Sequence, residues 1–63
     1  MDEAVEQAYI EACKEAAHRA VVEKSESRAS YFWGIEIGLG KALVLLGYTP
    51  KQVLAIREEA VTE

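Results

Sequence analysis

From Asp2 through Trp33 the chain contains neither glycine nor proline, and a run of that length filled with strong helix formers leaves little choice but helix. Alanine recurs at positions 4, 8, 12, 16 and 20, an unbroken row at four-residue spacing, and a second row of Val5, Tyr9, Cys13, Ala17 and Val21 runs beside it. Rows of this spacing are the ridges by which helices pack. Asp2, Glu3 and Glu6 stand where the helix macrodipole favours acids. A first helix is therefore expected over about residues 2–24. Each four-residue step drifts by about 40° around a helix of 3.6 residues per turn, so neither row stays on one face. Contact along them must be a crossing that engages about three residues of each row.

Punctuation fixes the remaining elements. The stretch Glu23 to Ser30 is polar and contains three serines, which compete for backbone groups and favour helix ends. It reads as a turn, with one unbroken helix through to Leu46 as the alternative, and a second helix is expected over about 28–46. Gly47 suits the left-handed position that closes a helix. Immediately after it, Thr49 as N-cap, Pro50 at N1 and Gln52 at N3 form a capping box, with Tyr48 set against Val53 as a hydrophobic staple. The third helix, about 50–60, is too short to stand alone and must fold back. The expected fold is all-α: one helical domain over residues 1–63, a hairpin plus a short third helix, completed by self-association.

The case for self-association lies in the middle of the chain. Tyr31 to Tyr48 holds only two charges, Glu36 and Lys41. Each would cost about 2.5–3.5 kcal/mol at a bilayer centre, which argues against a membrane span despite the Gly34-x-x-x-Gly38 pair. Gly34, Gly38 and Gly40 each cost a helix about 1 kcal/mol relative to alanine, so they are expected to mark close packing. Ser30, Gly34, Gly38 and Ala42 form a small-residue ridge, while large apolar residues point to nearly every side of this helix. A 63-residue chain buries only about 60% of its unfolded surface, and a single cysteine cannot form an internal disulfide. A second copy is the expected cover, with Tyr31, Phe32, Trp33, Gly34, Gly38, Leu39 and Ala42 at the oligomer or partner interface.

Little in the sequence points to catalysis. Cys13 beside the alanine row reads as a small buried hydrophobe, and no Ser/His/Asp set, phosphate loop or paired catalytic carboxylates can be assembled. No cofactor is implied. Glu15-x-x-His18 resembles one turn of the ferritin-like di-iron bundles. A two-fold pair of chains would supply two copies each of Glu15, His18 and Glu36, and these three are the metal-binding alternative. The plainer reading pairs Glu15 with Arg19 on a solvated face and leaves His18 at the surface. For Glu36, a salt bridge between subunits to Lys41 or Arg28 is expected, with plain solvent exposure as the alternative.

Seven basic residues against eleven acidic ones give a net charge of −4, which opposes direct nucleic-acid binding. Lys51, Gln52 and Arg57 beside Glu58 and Glu59 make a poor recognition helix. The start of the chain lacks the pattern of a secretion signal, and one unpaired cysteine fits a reducing compartment, so a cytoplasmic location is expected. The reading that follows is a non-enzymatic, self-associating regulatory protein that binds another protein as adaptor or inhibitor. A small-ligand binder with an intersubunit pocket near Trp33 and Tyr31 is the remaining alternative.

Overall fold

In the computed structural model, which describes residues 2–62, α1 (Glu3–Val21), α2 (Glu26–Leu45) and α3 (Pro50–Thr62) follow in order. Each start is capped locally. Asp2 Oδ1 accepts from Val5 N–H at 3.2 Å, and Ser25 Oγ accepts from Arg28 N–H at 3.5 Å. At α3 the capping box forms in both directions: Gln52 N–H donates to Thr49 Oγ1 at 3.1 Å, and Thr49 N–H donates to Gln52 Oε1 at 2.8 Å.

The hairpin replaces the alternative of a single long helix because the chain breaks at residues 22–25. There Lys24 adopts φ 53°, a left-handed conformation uncommon for a side chain with a Cβ. Ser25 N–H donates across the turn to Arg19 C=O at 2.9 Å. Gly47, with φ 110°, closes α2, and Tyr48 N–H returns to Leu43 C=O at 3.0 Å. Both turns therefore fall within a few residues of where serine and glycine place them.

The α1–α2 pair is the main packing contact, and it uses one crossing of the α1 ridges. Ala12 and Ala16 of the alanine row and Tyr9 and Cys13 of the second row are buried, while Ala4, Ala8 and Val21 are exposed. Opposite them α2 presents Ala29, Glu36 and Leu43. The two glycines of its small-residue ridge do not meet α1. A Cβ on Gly34 or Gly38 would have no atom within 4 Å, whereas one on Gly40 would meet the Tyr9 ring at 3.4 Å and Val53 Cγ1 at 3.6 Å. Gly40 is thus the glycine of close approach within the chain.

The core is thin. Tyr9, Cys13, Leu43, Tyr48 and Ala60 form its centre, with Val5, Ile10, Leu39, Val53 and Ile56 packed around them. Leu43 and Cys13 are the largest side chains that are completely buried. α3 folds back mainly on α1 and touches α2 less, and this leaves a furrow between α2 and α3. Among the described residues, no helix is long and apolar enough to cross a membrane.

Candidate functional site

Glu36 is the one charged residue that is fully buried among the described residues, with 8% of its surface exposed. Burying a carboxylate without a partner is costly, and its partner is Arg57, whose Nε donates to Glu36 Oε2 at 3.1 Å. The expected bridge between subunits to Lys41 or Arg28 is corrected by this contact within one chain. α3 folds back so that Arg57, on the same side as Val53, Ile56 and Ala60, reaches α2. That side could have been read from the four-residue spacing of Val53 and Arg57. The hydrogen bond and charge of Glu36 raise the Arg57 pKa further above its ordinary value.

Tyr9 and Cys13 are buried in the core close to Glu36. Burial pushes the Cys13 thiol up to about 12, and the hydrogen bond to Glu36 and its charge add to the shift. Burial also pushes the Tyr9 phenol up to about 12, reinforced by Cys13 and Glu36. A thiol held protonated and away from solvent is not a nucleophile at neutral pH. The Glu36–Arg57 pair ties α2 to α3, and the buried thiol beside it supplies no nucleophile. A second polar tie joins Tyr48 to α1, its hydroxyl donating to Glu6 Oε1 at 2.7 Å. That hydrogen bond, with burial second, pushes the Tyr48 phenol up to about 12.

The residues of the metal-binding alternative are engaged separately. Glu15 pairs with Arg19 at 3.2 Å, as the plainer reading expects, and His18 lies exposed with its Nδ1 3.6 Å from Glu23. Glu36 is in the core with Arg57. Among the described residues, no group of three or more His, Cys, Asp or Glu side chains is arranged to hold a metal ion. Around the first turn Arg19 also pairs with Glu23, Arg28 reaches Glu23 at 3.1 Å, and the Arg19 guanidinium lies 5.7 Å from the Phe32 ring centre. Desolvation raises the Glu23 carboxyl, but hydrogen bonds and charge from Arg19 and Arg28 outweigh it and hold its pKa below 4.5.

What remains open to solvent is the outer surface of α2. Among the residues expected at an interface, Phe32 and Leu39 turn inward and are half-buried, as is Ala42, while Tyr31, Trp33, Gly34 and Gly38 are exposed. At about 100° per residue, two different sides can be told apart. One side carries Tyr31, Gly34, Ile35, Gly38, Ala42 and Leu45, and no charge. Tyr31 is 67% exposed there and Leu45 88%. The other side carries Trp33, Ile37, Lys41 and Val44, the last three of which line a furrow above α3. This second side was missed in the sequence because it exists only once α3 has docked. The chain matches no protein-family model, and no match is found among the curated proteins or the solved structures.

Proposed function

We propose that this protein is a non-catalytic helical binding module that self-associates through the uncharged, glycine-bearing side of α2 and binds another macromolecule as an adaptor or inhibitor. The observation that carries the reading is the open space over Gly34 and Gly38. Each glycine weakens the helix by about 1 kcal/mol relative to alanine, and among the described residues no contact makes use of the missing side chains. A crossing helix from a second copy does make use of them, because backbones can approach closely where no Cβ intervenes. The exposed Tyr31, Leu45 and Leu46 beside them provide the apolar surface such a crossing would bury.

The charge pattern supports the same side. Copies carrying a net charge of −4 repel one another, and the repulsion is least where the approaching surfaces are uncharged. The burial of Cys13 and the pairing of Glu36 with Arg57 and of His18 with Glu23 support a role in surface recognition. The partner-binding part of the reading is tested by affinity capture from source lysate. A protein partner recovered in stoichiometric amount and released by substitutions on α2 or α3 supports it, and recovery of none contradicts it.

A further inference from the structure

The furrow between α2 and α3 has a chemistry different from that of the glycine-bearing side. Its volume is about 600 Å³. Ile37, Lys41 and Val44 line one wall at spacings of four and three residues, and Pro50, Leu54 and Arg57 line the other at the same spacings. Two parallel rows of this kind extend over about two helical turns each, the length over which an amphipathic helix engages a groove. Gly40 forms part of the floor, and its lack of a side chain leaves the Tyr9 ring and Val53 close beneath. Ile37 is 59% exposed and Leu54 52%.

Both charged residues on the furrow are cationic, although the chain as a whole is acidic. Lys41 is exposed and makes no ion pair among the described residues. Arg57 gives its Nε to Glu36, yet its side chain remains 42% exposed, and a guanidinium has five N–H donors. The outer sides of α1 and α2 in a second copy do not match this surface. The exposed side of α1 carries Glu3, Gln7, Glu11 and Lys14 without large apolar residues between them, and the exposed side of α2 has no acid beside its apolar residues over 31–45. Among the described residues, Leu54 and Val61 beside Glu58 on α3 come nearest to combining the two features that the furrow calls for, and Leu54 is already part of the furrow wall.

We infer that the α2–α3 furrow is the docking seat for an amphipathic helix of another protein, one whose apolar face is flanked by carboxylates that reach Lys41 and Arg57. Apolar residues of that helix fill the space between Ile37 and Leu54, and its carboxylates fix the direction in which it lies. The inference rests on the partner-binding reading and names the partner's chemistry, but it does not depend on self-association.

The test uses the full chain and two fluorescently labelled helical peptides with the same leucine stripe, one flanked by glutamates and the other by lysines, with dodecanoate as a small amphiphile. Trp33, the only tryptophan, lies one turn before Ile37 and gives a second signal in its emission. The expected result is saturable 1:1 binding of the glutamate peptide, at least about tenfold tighter than the lysine peptide. Leu54→Asp and Lys41→Glu, both at exposed positions, should each weaken it about tenfold or more. Leu54→Ala, with helix content checked by circular dichroism, covers the case in which Leu54→Asp fails to fold. The inference is overturned by no binding of the glutamate peptide up to about 1 mM, by equal affinity for both peptides, by saturation by dodecanoate alone, or by dissociation of an oligomer by Leu54→Asp. Capture of a stoichiometric partner that survives Leu54→Asp would remove the furrow inference while leaving the partner-binding reading in place.

Discussion

Glu36 shows at the scale of one residue why an apolar helix can contain a carboxylate. Its side chain is 10% exposed and that of Arg57 42%, so the pair lies at the edge of the core with one member largely withdrawn from water. Removing one partner of such a pair costs more than the pair itself contributes, because the other loses its compensation. Glu36→Gln should therefore destabilise the fold by about 1–3 kcal/mol, less than for a pair wholly out of water, as read from urea denaturation. A change below about 0.5 kcal/mol would show that the ion pair is incidental. Cys13 offers a second check. Because it is completely buried and its thiol stays protonated, a thiol reagent should modify it at least about a hundredfold more slowly in the native protein than in urea-unfolded chain. Comparable rates would mean that the seam between α1 and α2 opens freely. The burial of Cys13 was legible from its place beside the alanine row. The partner of Glu36 was not, because Arg57 is 21 positions further along and reaches it only after α3 has folded back.

At the scale of elements, the starts and stops were the most legible features because they depend on neighbours in sequence. Thr49, Pro50 and Gln52 cap α3 where the spacing places them, and Gly47 closes α2 with the conformation only glycine adopts at little cost. Which side of α2 faces α1 was less legible, since apolar residues surround the helix and its periodicity gives no strong preference. Three glycines were expected to mark close packing, and within the chain only Gly40 does so. The first turn makes a prediction about acid. The Glu23 carboxyl has its folded pKa lowered by Arg19 and Arg28, so its stabilising effect is complete above the ordinary value of 4.5 and is lost as pH falls through the lower folded value. Glu23→Gln should therefore flatten the loss of stability below about pH 4.5 when helix content is followed by circular dichroism. If the acid profile of the variant superimposes on that of the parent, the turn network does not contribute.

For the whole molecule, the decisive fact is how little of its apolar surface is hidden. Four of the buried residues are alanines, and Leu43 is the only large aliphatic side chain completely buried among the described residues. Meanwhile Ile37, Leu45 and Leu54 remain more than half exposed. A domain of this length has a stability of about 3–9 kcal/mol, and additional burial between copies would add to it in proportion to the apolar area covered. In the function proposed above, the two open sides of α2 divide the work: the uncharged side with Gly34 and Gly38 is assigned to a second copy, and the cationic furrow to a different protein. Sedimentation equilibrium of the full chain and of Gly38→Leu, at about 1–100 μM, tests the first of these most directly. The account predicts an oligomer for the parent chain and a helical monomer for Gly38→Leu, because the leucine enters space that a neighbouring backbone occupies. A parent chain that sediments as a folded monomer throughout, or a Gly38→Leu variant that assembles as the parent does, would contradict it.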